Sequence, residues 1–359
     1  MPRILTQDLI PGMITDEDVF SYNNQLIIPR DLELTDKSIT KLELYSILSV
    51  RVKDQVAEID DIDSITEENI SYAQKVKASR EYKVFKETFD KTITSLQGTV
   101  SDLLINHHFD EASFMQAPKN LLSGNPSGIH IFDMLHNMRM YDDPTYAHCL
   151  NVSLICNVFG RWLDFSEEDV EQLTLAGLLH DIGKIKIPAD IIQKPDKLST
   201  EEFQIVKTHT IEGYNLVKDL NIDNRVKNAI LMHHEKCDGS GYPLGLKSDK
   251  IDSFAKIVSI ADVYDAMTSA RVYRGPMCPF TVLSIFESEG YQKYDSSYIL
   301  TFLEYVVNTY LNNRVRLSNG MEGTIVLINK LDLSHPMIHC DGSYIDLSHE
   351  RGVSIEEII

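Results

Sequence analysis

Two clusters of histidine and aspartate are the residues of this sequence best suited to do chemistry. His180-Asp181 forms the first, and the adjacent pair His233-His234 follows about fifty residues later. Imidazole and carboxylate groups are ligands of divalent metal ions, and their mixture suits iron, manganese or cobalt, and zinc less well if coordination is octahedral. Two clusters of this kind predict more than one metal ion.

Three further residues of the same types lie in segments with a helical pattern: His148, His209 and Asp262. Each one alone is better explained as a satisfied polar residue of a core, since a lone buried carboxylate is costly. Together, on separate predicted helices within about 115 residues, they favour a metal site. Six ligands and a carboxylate that can bridge suffice for two metal ions. The pair His107-His108 has no other ligand type nearby and is interpreted as surface.

A turn rich in glycine follows the second cluster. We call residues 238–243, with the sequence Asp-Gly-Ser-Gly-Tyr-Pro, the Gly-Tyr-Pro turn. Two glycines and a proline build a rigid turn that can bring backbone close to a ligand. Gly183 breaks the predicted helix that ends at His180-Asp181. Because neighbouring side chains diverge by about 100° within a helix, both can face one metal only near a helix end, which this break provides, or with a bridging role.

Composition narrows the class of protein. The 359 residues, 43% hydrophobic and 25% charged, are typical of a soluble globular protein with two or three domains. The net charge of −20 argues against DNA or RNA binding, which needs a broad basic face, but is compatible with a small nucleotide held by metals. The sequence has no apolar run long enough for a membrane span, and its first residues, with one cation and no apolar stretch, do not predict a secretory signal. Five scattered cysteines without a CxxC pair predict reduced thiols in the cytoplasm.

Periodicity divides the chain into four predicted units. Residues 1–55 form a small α+β unit, and residues 56–126 form a helical linker that is either solvated or part of a dimer seam. Residues 127–312 are nearly all helical, whereas residues 313–359 form a small β-hairpin unit around Asn-Gly and Asp-Gly turns. The predicted fold class is therefore mainly α, with small β-containing units at both ends.

The linked motifs resemble those of the HD-GYP family, a branch of the HD-domain metal phosphohydrolases. The resemblance covers roughly residues 145–275 in detail, and chance agreement at all of its motifs is negligible. The matching residues are His180-Asp181-Ile182-Gly183-Lys184, Lys194-Pro195, Leu198-Ser199, Lys207-Thr208-His209, His233-His234-Glu235, the Gly-Tyr-Pro turn and Asp262-Val263-Tyr264-Asp265-Ala266.

The resemblance implies an all-helical HD-type catalytic domain with iron or manganese in a di- or trinuclear centre. It also implies hydrolysis of cyclic di-GMP to linear pGpG, and often on to GMP. By analogy the first metal is held by His148, His180, Asp181 and Asp262. Asp181 bridges to the second metal, held by His209, His233 and His234.

The same resemblance implies residues that meet the substrate. Lys184 is expected near the scissile phosphate, and Arg271 and Arg274 match cations that contact phosphates in relatives. Gly241, Tyr242 and Pro243 match the turn beside the metals. Two divalent ions lower the pKa of a shared water, so a bridging hydroxide is the expected nucleophile, and Lys184 and the arginines offset charge on the transition state. Asp181 and Lys184 are therefore the predicted catalytic residues.

One departure from the family pattern bears on the number of metals. Trinuclear members carry a glutamate about one helical turn before the first histidine ligand. Here that turn is Asp142-Asp143-Pro144-Thr145, which contains no glutamate, and Asp143 is the residue in it that could replace the glutamate. The sequence therefore favours a dinuclear centre.

The sequence is compatible with three functions. The first is a cyclic di-GMP phosphodiesterase, since no ligand of either cluster is missing. The second is a nucleotide-binding signalling module that has lost catalysis, and the third is a hydrolase of another substrate, such as cyclic GMP-AMP or another phosphate ester. A homodimer or a GGDEF-type protein partner is also left open, and no ligand is predicted for the N-terminal unit.

Overall fold

A computed structural model gives the fold of most of the chain. It describes residues 3–6, 9, 12–20, 26–35, 38–39, 42, 47, 49–53, 76, 79–106, 108–123, 131–132, 134–135, 138, 144–192, 194, 199–268, 277–350 and 352–359.

The N-terminal part is a small β structure with its own apolar core. Strands β1 (Arg3–Leu5) and β4 (Ser49–Arg51) pair antiparallel, as do β2 (Val19–Phe20) and β3 (Leu26–Ile28). Buried apolar residues between these strands form a cluster separate from that of the rest of the chain. Residues 21–25 and most of residues 36–48 lie outside the described residues.

Two helices follow and pack on the helical domain. Helix α1 (Arg80–Asn106) buries a stripe that recurs every three or four residues, including Phe85, Phe89 and Ile93. Helix α2 (Glu111–Leu122) packs against α1, and both contact the long helix Pro144–Trp162. Because this stripe belongs to the main apolar core, it is covered by the chain's own residues instead of being solvated all round.

The largest body is helical. Its α-helices are α3 (Pro144–Trp162), α4 (Glu167–Leu179), α5 (Ala189–Ile192), α6 (Thr200–Lys207), α7 (His209–Val217), α8 (Asn224–Met232), α9 (Ser253–Thr268), α10 (Pro279–Ile285), α11 (Tyr291–Lys293) and α12 (Ser296–Asn308). A 3-10 helix (Ile182–Lys186) follows α4, and a π-helical segment (Phe286–Gly290) follows α10. A capping box formed by Ser199 and Glu202 begins α6.

Helices α3, α4 and α9 form the centre of this body. Helices α3 and α4 approach closely at Gly177, where an added Cβ would lie 3.0 Å from the Sγ atom of Cys156. Helix α9 is almost entirely buried and packs against α3, α4 and α8. Residues that face inward at the ends of these helices are therefore brought close together.

The C-terminal part is an antiparallel sheet of five strands in the order β8-β7-β6-β5-β9. The strands are β5 (Arg314–Leu317), β6 (Glu322–Leu327), β7 (Met337–Cys340), β8 (Ser343–Asp346) and β9 (Ile355–Ile358). The two predicted hairpins are confirmed, with Gly320 and Gly342 at positive φ in their turns. Val315 and Ile338 share the core of the helical body, so this sheet packs on the helices. In the described part of the chain, no helix is both long and apolar enough for a membrane span.

Candidate metal centre

Five separate segments supply the predicted metal ligands. His148 lies in the first turns of α3, and His180-Asp181 directly follows α4. His209 is the first residue of α7, and His233-His234 directly follows α8. Asp262 lies in the middle of α9. Helix ends supply most of these side chains, because backbone that leaves the helix there lets neighbouring residues turn toward one point.

The structure brings all seven predicted ligands together in two adjacent groups. In each group, one ligand atom per residue lies within 4.8 Å of the ligand atoms of the others. The first group consists of His148, His180 and Asp262, and the second consists of Asp181, His209, His233 and His234.

Asp181 lies between the two groups. Its Oδ1 atom is 3.2 Å from Nε2 of His209 and 3.7 Å from Nε2 of His233. Its Oδ2 atom is 3.4 Å from Nε2 of His180 and 3.9 Å from Nε2 of His148. One carboxylate oxygen therefore faces each group, which is the arrangement of a carboxylate that bridges two cations.

Asp262 completes the first group. Its Oδ1 atom lies 3.0 Å from Nε2 of His148 and 4.0 Å from Nε2 of His180. Its Oδ2 atom lies 3.9 Å from Nδ1 of His234. Both carboxylates thus lie close to residues of both groups.

Backbone carbonyls fix the orientation of three histidine rings. The Nδ1 atoms of His180, His209 and His233 lie 2.8, 2.7 and 3.0 Å from the carbonyl oxygens of Gly177, Val206 and Ile230. A carbonyl can only accept a hydrogen bond, so each Nδ1 donates, and a neutral ring then presents an unprotonated Nε2 to the site. This is the state in which imidazole binds a metal.

The inward atoms of these ligands lack partners of their own. The Nε2 atom of His180 and the Oδ1 atom of Asp181 are buried without a hydrogen bond in the described chain. The Nε2 atoms of His209 and His233 lie 3.3 Å apart, and in a neutral ring whose Nδ1 donates to a carbonyl the Nε2 atom is an acceptor. Buried acceptors that face one another are costly unless a cation lies between them. The donor set therefore fits divalent metal ions.

The protonation states also suit a metal site. Burial lowers the pKa of His233 to about 4, and burial with the neighbouring His233 holds the pKa of His234 well below its ordinary value. Although burial opposes it, the Lys184 charge and nearby histidines hold the pKa of Asp181 well below its usual range. Contacts with histidines, His148 foremost, do the same for the pKa of Asp262 against the effect of burial. Two neutral imidazoles and two carboxylates are thus ready to ligate.

His148 differs from the other histidines in having a carboxylate at each nitrogen. Its Nδ1 atom lies 2.7 Å from Oδ2 of Asp265, while its Nε2 atom faces Asp262. Burial disfavours a charged ring, but the hydrogen bonds to Asp262 and Asp265 outweigh burial and raise the pKa of His148 to about 10. A metal bound at Nε2 would have to displace a proton from this ring.

Lys184 contacts the centre directly. It lies in the 3-10 helix after Asp181, and its Nζ atom donates to Oδ2 of Asp181. Burial opposes its charge, but the Asp181 carboxylate raises the pKa of Lys184 above its ordinary value. The side chain is 30% exposed, so its ammonium group is available both to the bridging carboxylate and to an anion that enters from solvent.

The Gly-Tyr-Pro turn folds back against the second group. An added Cβ at Gly241 would lie 2.4 Å from Cα of Glu235, so only glycine fits there. The buried Glu235 side chain accepts hydrogen bonds from the backbone N–H groups of Leu244 and Leu246, at 2.7 and 2.8 Å. The ring of Tyr242 stacks on the ring of His234, with centroids 4.7 Å apart. Tyr242 therefore forms part of the wall beside the ligands, and Tyr242 precedes Pro243 through a cis peptide bond.

Other predicted positions stand apart from the centre or outside the described residues. Arg271, Arg274 and the segment Asp142-Asp143 lie outside the described residues. Lys194 pairs with Glu202 in the capping box of α6. His108 is exposed and pairs with Asp102, as a surface residue would. Sequence reasoning assigned no role to Glu235 or Asp265, although both lie within the motifs that carried the resemblance.

Comparisons with known proteins cover the region that contains all seven ligands. The family model of the HD domain matches residues 131–298. A cyclic di-GMP phosphodiesterase of Pseudomonas aeruginosa is 33% identical over 217 residues, 60% of this chain and 49% of that protein. A cyclic di-GMP phosphodiesterase of Thermotoga maritima is 36% identical over 178 residues, 49% of this chain and 48% of that protein.

Relatives with another substrate in their names match as well. A 3'3'-cGAMP-specific phosphodiesterase of Vibrio cholerae is 37% identical over 145 residues, 40% of this chain and 34% of that protein. The chain spans about half the length, or less, of these three curated relatives. The solved structure of Bd1817, an HDG"Y"P protein from Bdellovibrio bacteriovorus, aligns with a TM-score of 0.52 at 18% identity. That alignment covers 85% of this chain and 99% of the other, and it shows a shared fold.

Proposed function

We propose that this chain, whose residues 131–298 match the family model of the HD domain, belongs to the HD-GYP family and is a metal-dependent phosphodiesterase that hydrolyses cyclic di-GMP. The observation that carries the proposal is the position of Asp181, whose two oxygens face two complete sets of ligands. Relatives named as cyclic di-GMP phosphodiesterases support the choice of substrate.

The proposed centre holds two divalent ions, iron or manganese, which when bound supply Lewis-acid activation of water and charge neutralisation at a phosphate. His148, His180 and Asp262 hold one position, and His209, His233 and His234 hold the other. Asp181 belongs to both positions and fixes their separation. Oxygen and nitrogen donors in this mixture suit iron and manganese.

Lys184 carries out the electrostatic part of the reaction in this proposal. Its ammonium group lies against Asp181 and is partly exposed, so it can shift from the carboxylate to a phosphate oxygen. A cation beside the phosphate stabilises the charge that develops on the phosphoryl oxygens in the transition state. Arg271 and Arg274 remain predicted phosphate contacts, since they match the family pattern in sequence.

Tyr242 and the rigid turn shape the entrance in this proposal. The Tyr242 ring is held by stacking on His234, while Gly241 lets the turn lie directly on the backbone of Glu235. A held aromatic face beside a phosphate site suits a nucleotide, whose base also offers a flat apolar surface. We also place the protein in the cytoplasm, on the basis of its five cysteines without a CxxC pair.

Turnover assays test this function. The purified chain is incubated without oxygen with cyclic di-GMP and either Fe²⁺ or Mn²⁺, and the products are separated by chromatography. We expect pGpG or GMP from the unaltered chain and none from Asp181→Ala. Asp249→Ala, which removes an exposed carboxylate, is the matched control and should retain activity.

Other results would change the assignment. Binding of cyclic di-GMP without turnover with either metal would favour the signalling module that has lost catalysis. Hydrolysis of cyclic GMP-AMP but not of cyclic di-GMP would favour the substrate in the names of the Vibrio relatives. Unchanged turnover in Asp181→Ala would contradict a reaction that depends on the bridging carboxylate.

A further inference from the structure

The four histidines that direct Nε2 into the centre differ in what holds their other nitrogen. In three of them, Nδ1 faces a backbone carbonyl three residues earlier in the chain; these are His180, His209 and His233. In His148, Nδ1 faces the side-chain carboxylate of Asp265 at 2.7 Å. His148 is thus the one member of this set whose ring is held by a charged group from another helix.

Asp265 is positioned by the same helix that supplies a ligand. Asp262 and Asp265 are three residues apart on α9, so they project from one face. Asp262 meets Nε2 of His148 at 3.0 Å, and Asp265 meets Nδ1 of the same ring. Two carboxylates of α9 therefore contact the two ring nitrogens of His148.

Asp265 is itself held from the opposite helix. It is only 3% exposed, and Nδ2 of Asn151 donates to its Oδ1 at 2.9 Å. Asn151 lies three residues after His148, so the two side chains share one face of α3. His148 and Asn151 on α3 thus make two contacts with the Asp265 carboxylate on α9, and the ring of His148 has little freedom to turn.

A charged acceptor acts on a metal ligand differently from a carbonyl. A carboxylate forms a stronger hydrogen bond with the ring N–H, fixes the tautomer and makes the opposite nitrogen a better donor to a metal. Loss of such a partner commonly lowers metal affinity by about 10- to 100-fold. In the second group, the Nδ1 atoms of His209 and His233 are held by backbone carbonyls instead.

We propose that Asp265 is a positioning residue that sets the metal affinity of the first position through His148, while the second position does not depend on it. This inference rests on the proposed function, because it requires metals at both groups. It makes the two positions unequal: the first is controlled by a contact between α3 and α9, and the second by local backbone.

Variants that leave one position intact test the inference. His233→Ala removes a ligand of the second position only, and His148→Ala removes a ligand of the first position only. Asp265→Asn is introduced into each of these backgrounds, and Mn²⁺ binding is measured from the electron paramagnetic resonance signal of the free ion. We expect about 10- to 100-fold weaker binding in the His233→Ala background and unchanged binding in the His148→Ala background.

Two further variants separate this role from a general loss of structure. Asp252→Asn is the matched control, because Asp252 also accepts from an asparagine amide, that of Asn228 at 3.0 Å, but contacts no ligand of the centre. It should leave both affinities unchanged. Asn151→Ala keeps the Asp265 carboxylate but removes its donor, so it should weaken the first position by less than Asp265→Asn does. Circular dichroism of the metal-free variants checks that each is folded.

The outcomes distinguish the two proposals. If the unaltered chain binds two Mn²⁺ ions and Asp265→Asn weakens neither position, or both equally, the role of Asp265 is overturned and the proposed function stands. If the unaltered chain does not bind two Mn²⁺ ions, the two-metal function fails and the inference falls with it. If Asp265→Asn does not fold, a first-position affinity in Asn151→Ala equal to that of the unaltered chain would also overturn the inference.

Discussion

His209 and His233 direct their Nε2 atoms at each other across 3.3 Å, while Nδ1 of each ring donates to a backbone carbonyl. When both rings are neutral, two buried lone pairs therefore face each other. Oδ1 of Asp181 lies beside the same pair, 3.2 Å from His209. Without a cation this arrangement is a local cost to the folded state, since buried acceptors have lost water and gained no donor.

The first prediction is that metal stabilises the fold. A ligand that binds only the folded state at 100 times its dissociation constant adds about 2.7 kcal/mol to the free energy of unfolding. We therefore expect Mn²⁺ to raise the melting temperature of the chelator-treated chain by several degrees, as measured by differential scanning calorimetry. The combined variant His209→Ala with His233→Ala should show a smaller rise. An equal rise in that variant would mean that this pair does not hold the metal.

The second prediction concerns the bridge. Asp181→Asn keeps the size of the side chain but replaces one ligand oxygen with an amide nitrogen, which does not coordinate a divalent ion well. We expect the number of tightly bound ions to fall from two to one at most, and turnover to fall by at least about 100-fold, the upper end of what loss of an outer partner costs. Metal content after gel filtration gives the first value. Two ions retained by Asp181→Asn would contradict a bridging role.

The third prediction separates charge from metal binding. Lys184→Met removes the ammonium group that contacts Asp181 but keeps the length of the side chain. We expect kcat to fall by roughly 100- to 1,000-fold, the usual loss for one electrostatic contact to a transition state. Metal affinity should not fall, because Lys184 no longer competes with the metal for the carboxylate. Lys186→Met, an exposed neighbour in the same 3-10 helix, should keep its kcat.

Loss of metal with loss of kcat in Lys184→Met would argue against this separation. In that case the lysine would act mainly by holding Asp181 in place. Metal titrations on both lysine variants, carried out beside the kinetic assays, provide this comparison.

The sequence singled out seven candidate ligands but not the residues that hold them in place. His, Asp, Gly and Pro at characteristic spacings pointed to one centre, and the seven ligands do lie together. The roles of Asp265 and Glu235 could not be read in the same way. Asp265 acts on His148, which lies 117 residues earlier, and that contact exists only when α3 packs on α9. Patterns of residues that are near one another in the sequence do not reveal contacts between residues this far apart.

The C-terminal sheet likewise has features that the local sequence predicted and features that it did not. Its hairpins follow from the local Asn-Gly and Asp-Gly turns, which favour the positive φ seen at Gly320 and Gly342. The pairing of β5 with β9 joins Val315 to Ile358, far apart in the chain. The apolar core that the sheet shares with the helices is also a tertiary feature. The two-residue periodicity of the sequence alone therefore predicted neither the pairing of β5 with β9 nor this shared core.

The fourth prediction tests the backbone contact between the two clusters. Gly183 follows Asp181 by two residues, and an added Cβ would lie 1.9 Å from the carbonyl oxygen of His209 and 2.4 Å from the backbone nitrogen of Gly213. Because backbone atoms of α7 cannot move aside without moving His209, Gly183→Ala must push the first cluster away from the second. We expect a loss of about 3 kcal/mol in the free energy of unfolding, the upper end of what overpacking costs.

Gly98→Ala is the matched control, because Gly98 lies within α1 and an added Cβ meets nothing within 4 Å. Alanine is favoured over glycine in a helix, so this variant should gain about 0.5 to 1 kcal/mol. Urea unfolding of the metal-free proteins measures both changes. Any folded Gly183→Ala should also bind Mn²⁺ more weakly, since Asp181 and His209 would no longer lie 3.2 Å apart. Equal urea midpoints for Gly183→Ala and the unaltered chain would show that the two clusters do not depend on this close approach.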